Sequence, residues 1–170
     1  MKRVPVSKVW FAKIDNEDFE LVNSFKWYIQ KAKISNTTYA RIDYVIKGVI
    51  TVTFMHRLIL GLTDTKILVD HIDHNGLNNQ KNNLRIVNHS QNMANRRSRE
   101  NSSSKYLGVS IFRRHYKNNN YTYWQALIQK DKKLIRLGLF KNEVDAAIAY
   151  NKKAIELHGE FANLNKIEQS

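Results

Sequence analysis

The sequence predicts an α+β fold: a β-rich N-terminal segment, a central strand–loop–strand–helix stretch, and three C-terminal strands followed by one helix. Two patterns carry that reading. Short runs rich in Val, Ile, Tyr, Phe and Trp recur along the chain, broken by Asn- and Gly-containing turns, as strands require. Apolar residues at helical spacing are confined to a few short stretches, and no internal repeat is present.

In chain order, strands are expected over residues 8–14, 26–33, 39–45 and 48–54. The aromatic residues of this segment (Trp10, Phe11, Phe19, Phe25, Trp27, Tyr28, Tyr39 and Tyr44) are expected to form its core. Residues 54–62 read as a short helix, 73–83 as a polar loop whose Asn and Gly favour tight turns, 84–87 as a strand, and 90–99 as a helix with a basic end. The tetrapeptide 101–104 is short and polar and reads as a linker. Strands follow over 106–114, 122–130 and 133–140. The last helix has Asn142 as N-cap, acidic Glu143 and Asp145 in its first turn, and Gly159 as C-cap. Val144, Ala147, Ile148 and Ile155 are expected as its buried stripe. The implied divisions are 1–53, 54–100, the linker 101–104, and 105–170.

Composition narrows the function classes. Cysteine is absent, which excludes disulfides and thiolate metal sites. No apolar run approaches the length of a membrane helix, and residues 1–5 lack a signal peptide's apolar core, so a cytoplasmic protein is expected. The net charge of +13 comes mostly from beyond residue 95 and points to a polyanion partner, of which nucleic acid is the commonest. A cationic surface kept for solubility is the competing explanation.

Chemistry concentrates between residues 56 and 92. Asp70 and His71 sit side by side at a strand end before the polar loop; Asn83 closes that loop, and Asn92 lies on the next helix. Phosphodiester cleavage needs a base to activate water, a cation to absorb charge on the phosphate, and a means of holding the base in line. Imidazole is largely neutral near pH 7 and suits the base. Carboxylate and amide oxygens suit magnesium, which accepts few protein ligands. Adjacent strand residues point to opposite faces, so Asp70 and His71 serve one site only near an irregular strand end.

The run from Asp70-His71 through Asn83-Leu84-Arg85, followed by Asn92, resembles the ββα-metal motif of HNH endonucleases, and more narrowly the phage- and intron-encoded homing enzymes. The resemblance implies that His71 is the general base, that Asp70 and Asn92 hold one magnesium (or manganese) ion, and that Asn83 braces the loop and orients His71. His89 is the rival ligand on the same helix face as Asn92. His56-Arg57-Leu58 resembles the segment these enzymes carry ahead of the motif, with His56 supporting and not catalytic. His74 is expected as a plain loop residue.

The segments Tyr106-Leu107-Gly108-Val109, Trp124–Ile128, Leu137-Gly138-Leu139-Phe140, Ala146–Asn151 and Phe161–Asn165 are together similar to the ethylene-response-factor (APETALA-type) DNA-binding domain, a three-stranded antiparallel sheet packed on one helix. Strand alternation agrees, placing Trp124, Ala126 and Ile128 on one face and Gln125, Leu127 and Gln129 on the other. By that resemblance Ser110, Phe112, Arg114, Gln129 and Arg136 face DNA. Arg113, Lys117, Lys130, Lys132 and Lys133 are expected to touch phosphates. Arg96, Arg97 and Arg99 track the backbone between the modules, or else simply end a helix. The family's usual arginines and tryptophans are not all present, so its site preference does not transfer.

The sequence thus predicts a site-specific DNA endonuclease of the homing type, a monomer acting on double-stranded DNA with one divalent metal and no small-molecule cofactor, encoded by a phage or mobile element and working in a bacterial cytoplasm. The competing expectation is a DNA-binding regulator that does not cut. RNA cleavage is a third.

Overall fold

A computed structural model describes residues 1–32, 37–46, 48–96, 98 and 101–167. They form a mixed α+β chain with several small antiparallel sheets and few helices. The chain divides into two compact units, Met1–Asn88 and His89–Ser170.

In the first unit, β1 (Lys2–Pro5) and β2 (Phe11–Ile14) pair as an antiparallel ribbon. A short helix α1 (Phe19–Asn23) follows, then β3 (Tyr28–Lys31), β4 (Thr38–Ile46) and β5 (Val49–Phe54), with β4 central. Helix α2 (Met55–Ile59) leads to the hairpin of β6 (Leu68–His71) and β7 (Leu84–Val87). The core collects Val4, Ala12, Ile14, Val22, Trp27, Ile42, Met55, Leu77 and Leu84. Alternation explains the selection: β2 buries Ala12 and Ile14 and leaves Phe11 exposed.

Several expectations change here. The strand expected over 8–14 is shortened to β2, because the Val6 and Ser7 N–H groups donate to the Trp10 carbonyl in a turn that pairs β2 with β1, a strand not expected from the sequence. Helix α1 spans five residues, too few to impose a visible period. Of the eight aromatics expected in the core, Trp27 is the buried one, its indole N–H donating to the Val22 carbonyl at 2.8 Å. Trp10, Phe11, Phe25, Tyr28 and Tyr44 are exposed; small sheets have too little interior for so many rings, and aliphatic side chains fill it instead.

The second unit opens with α3 (His89–Ala94), shorter than the helix expected over 90–99. Its end is tied by Asn163, whose backbone N–H donates to the Ala94 carbonyl and whose amide donates to the Arg96 carbonyl. Strands β8 (Val109–Tyr116), β9 (Asn119–Lys130) and β10 (Lys133–Phe140) form a sheet with β9 central. Asp131 and Lys132 join β9 to β10 as a two-residue loop with both φ angles positive, which matches the twist of a hairpin. Ser104, in the tetrapeptide read as a linker, is buried and donates to Glu143 at 2.6 Å.

Helix α4 (Glu143–His158) starts where the caps indicate: Asn142 Oδ1 accepts the Asp145 N–H at 2.8 Å, and Gly159 ends it with a φ of 53°. Its buried face differs from the expected stripe. Ala146, Ala147, Tyr150 and Ala154 lie against the sheet, whereas Val144, Ile148 and Ile155 are exposed. Small side chains let the helix axis approach the strands, so the face is chosen by size more than by hydrophobicity. Asn165 then closes the unit: its amide exchanges two bonds with the Leu107 backbone, while its own backbone pairs with Asn151.

Gly108 lies at the tightest point of that packing. Its φ is +74°, and a Cβ there would sit 2.2 Å from the Tyr150 ring and 2.6 Å from the Leu127 carbonyl. Gly108→Ala therefore combines a strained backbone with overpacking and is expected to cost roughly 3 kcal/mol, read as an earlier urea transition of the second unit. A transition unchanged from wild type would refute that packing.

Candidate active site

The β6–β7 hairpin brings Asp70, His71 and Asn83 into one part of the first unit. The ladder pairs Asp70 with Arg85 and His71 with Leu84, so strand pairing stays regular through the last residue. Asp70 and His71 consequently have different neighbours. Asp70 is 9% exposed, and its Oδ2 accepts from Arg85 Nε at 2.9 Å and Nη2 at 2.8 Å. His71 is 5% exposed and turns toward Met55, His56 and Tyr39; its ring meets His56 edge-on at 5.1 Å and Tyr39 at 5.7 Å.

Asparagine amides hold the intervening loop. Asn83 Nδ2 donates to Asp73 Oδ1 at 2.9 Å and to the Asn78 carbonyl at 2.7 Å, while its Oδ1 accepts the Asp73 N–H at 3.0 Å. Asn78 donates to the other Asp73 oxygen at 2.7 Å, and Asp73 Oδ1 also caps the Asn75 N–H. Burial works against the Asp73 charge, yet these bonds and the nearby His71 outweigh it and hold the carboxyl below its usual range. His74 takes a left-handed turn, with φ 60°. Gly76 is required by close approach: a Cβ would lie 2.5 Å from the Thr38 carbonyl and 2.6 Å from the Tyr39 ring.

The side chain whose bond to the imidazole stands out is Asn79, fully buried, with Oδ1 3.2 Å from His71 Nε2. The sequence reading assigned no role to Asn79, Asp73 or Arg85. Strand pairing offers a signal for Arg85, opposite Asp70; nothing in the spacing distinguishes Asn79 from the other loop asparagines.

Burial lowers the pKa of His71, against the opposing pull of Asn79, Asp73 and Asp70, so the ring is neutral at pH 7. His56 is pushed down to about 3 by burial, by His71 and by Arg57. It stacks on Phe54, with centroids 5.5 Å apart and planes 10° from parallel, and its Nδ1 is buried with no hydrogen-bond partner among the described residues.

In the second unit, Asn92 and His89 both lie exposed on α3, so Asp70 and Asn92 belong to different compact units. Among the described residues no three His, Asp or Glu side chains cluster as a metal-binding group. Arg96 is exposed; Arg97 and Arg99 lie outside the described residues. The register places Ser110, Phe112, Arg114, Gln129 and Arg136 on the sheet face turned away from α4, with Arg136 6.0 Å over the Phe112 ring. Tyr121, Tyr123 and Gln125 share that face, the two tyrosines stacked at 6.5 Å and Gln125 donating to Ser110 Oγ. They were visible in the alternation of β9. Arg113, opposite Thr122, and Lys133, opposite Lys130, fall on the other face, and Lys130 donates to the Leu157 carbonyl at the end of α4. Lys117 and Lys132 lie in the two turns. Among the described residues no helix is long and apolar enough to cross a membrane.

With a hairpin that carries Asp-His at the end of one strand and Asn just before the other, the chain belongs to the HNH endonuclease family. It is 34% identical over 159 residues to an uncharacterized HNH endonuclease of Acanthamoeba polyphaga mimivirus, a match covering 93% of this chain and 76% of that relative. No family model and no solved structure matches the chain.

The His56 environment has a measurable consequence for stability. A neutral buried imidazole with a folded pKa near 3 and an ordinary unfolded value near 6.5 binds fewer protons folded than unfolded. Its contribution is full above pH 6.5 and is lost as pH falls toward 3, at about 1.4 kcal/mol per pH unit. Urea melts across that window should show this slope in wild type and lack it in His56→Phe; parallel pH profiles would contradict a buried neutral His56.

Proposed function

We propose that the chain is a metal-dependent DNA endonuclease of the homing type, with a ββα-metal centre at Asp70, His71 and Asn92 and an ethylene-response-factor-type module in its second unit. The observation that carries the reading is the buried, neutral imidazole of His71, next in sequence to Asp70 at the end of β6, where asparagines hold the following loop shut. Burial alone would suit a structural histidine; adjacency to a carboxylate in this family's motif favours catalysis.

The donor chemistry fits a hard cation. A carboxylate offers about four lone-pair directions, so the Arg85 guanidinium on Oδ2 does not exhaust Asp70, and the amide oxygen of Asn92 is the second hard donor. One bound magnesium or manganese ion would supply charge stabilisation at the phosphate and the leaving oxygen. His71 accepts a proton from water, and the resulting hydroxide forms the new bond to phosphorus. As the bond to the 3′ oxygen breaks, that oxygen leaves and takes up a proton, giving 5′-phosphate and 3′-hydroxyl ends. Asn83 holds the loop geometry while this occurs. One centre per chain cuts one strand, so a monomer nicks.

Substrate binding is assigned to the open face of the β8–β10 sheet. Arg114 and Arg136, beside Phe112 and the Tyr121–Tyr123 stack, combine positive charge with ring surface, and arginine reads guanine in the major groove. The +13 charge draws in duplex DNA at long range. The alternative of binding without cutting rests on the Asp70–Arg85 pair, which already engages one carboxylate oxygen.

Pure protein with magnesium is expected to convert supercoiled plasmid to the nicked form, and His71→Ala to slow this about 100- to 10,000-fold while retaining DNA binding. Wild-type binding with no nicking on varied sequences, with either magnesium or manganese, would leave the non-cleaving alternative standing. Arg136→Ala is expected to weaken duplex binding by about 1–3 kcal/mol in titrations at fixed salt; unchanged affinity would remove that sheet face from the interface.

A further inference from the structure

We infer that Asn79 is a positioning residue that selects the tautomer of His71, holding Nε2 as the protonated nitrogen and leaving Nδ1 as the atom that accepts a proton. The inference rests on the reading of His71 as the base and goes beyond it by naming the atom and the residue that sets it.

The argument starts from the orientation of one amide. Asn79 is fully buried between His71 and Met55, itself fully buried. Its Nδ2 lies 3.4 Å from Met55 Sδ, and its Oδ1 lies 3.2 Å from His71 Nε2. A thioether sulfur accepts weakly and has nothing to donate, so the NH2 end of the amide belongs on the sulfur side and the oxygen on the imidazole side. An oxygen at that distance requires a hydrogen on Nε2. In a neutral imidazole the other nitrogen then carries the lone pair. Turning the amide over would set its oxygen against sulfur in a fully buried position, leaving that acceptor unsatisfied.

The backbone holds Asn79 in place. Asn79 N–H donates to the Lys13 carbonyl at 2.8 Å, and Lys13 N–H donates to the Leu77 carbonyl at 2.7 Å, which joins the loop to β2. Asp15 accepts from Gln80 Nε2 at 3.0 Å and from the Lys81 N–H at 2.8 Å, and Lys81 pairs with Glu17 and Asp18. The N-terminal ribbon, which holds no catalytic group of its own, thereby fixes the amide that fixes the base. A bond to a side-chain amide with one orientation is a stronger constraint on the tautomer than ring packing against His56 and Tyr39, because edge contacts do not distinguish a protonated nitrogen from a bare one.

The test is nitrogen-15 NMR of the full chain labelled at histidine, at a pH where His71 is neutral. His71, assigned by loss of its signals in His71→Ala, is expected to show a pyrrole-type Nε2 and a pyridine-type Nδ1. Asn79→Leu, which has the same bulk and no acceptor, should shift His71 toward the opposite tautomer or a mixture and lower nicking kcat about 10- to 100-fold at unchanged KM. Asn79→Asp keeps the acceptor and should retain the wild-type tautomer. A pyrrole-type Nδ1 in wild type overturns the proposal, as does an Asn79→Leu protein whose His71 signals match wild type. If Asn79→Leu does not fold, the wild-type and Asn79→Asp spectra still decide. The spectra need no activity, so a chain that shows the expected tautomer but never nicks DNA contradicts the nuclease reading and not this one.

Discussion

Everything at the Asp70–His71 hairpin depends on how a twelve-residue polar connection is kept from opening into water. Its backbone groups cannot be left unpaired where the loop closes over the core, and the chain supplies asparagine and aspartate side chains to meet them. Each bond is worth little alone — about 1 kcal/mol net — but the network has one arrangement in which all are made. That arrangement sets the buried position of His71. The ribbon β1–β2 acts on the same loop from outside, through Lys13 and Asp15, so the first thirty residues serve the site without contributing a reactive group.

Burial and charge then divide the labour among three ionisable side chains. His71 and His56 are kept neutral because the interior penalises their charged forms, while Asp73 is kept ionised because three donors converge on it. The contrast is one of hydrogen-bond supply. His56 Nδ1 has no partner, whereas Asp73 has several, although both sit within a few residues of strand ends.

Much of this organisation was legible in residues, and the reasons for the rest are physical. The Asp70-His71 run marked the end of β6, and the Asn83-Leu84-Arg85 run placed β7 to the residue, because strand ends and turn-forming asparagines both leave strong local signals. Helix α4 was legible from its caps for the same reason. Its buried face was read correctly at Ala147 and misread at Val144, Ile148 and Ile155, since period and hydrophobicity favour the larger side chains, while the closeness of the sheet selects Ala146, Tyr150 and Ala154 beside Ala147. The aromatic core expected in the first unit failed on volume: its small sheets bury Trp27 and expose the larger surplus. Asn79 was illegible because its partner, Met55, comes from twenty-four residues away. Membership of the HNH endonuclease family rests on likeness over nearly the whole chain, while the role proposed for each site residue rests on the motif and its chemistry.

The most direct test of the account is anomalous diffraction from crystals of His71→Ala bound to manganese and duplex DNA. Asp70 and Asn92 are expected to share one manganese peak at inner-sphere distance, with a phosphate oxygen as its third neighbour and the position vacated by the imidazole facing that phosphorus. A peak held by other side chains, or a phosphate backbone that passes Asp70 at a distance, would contradict it.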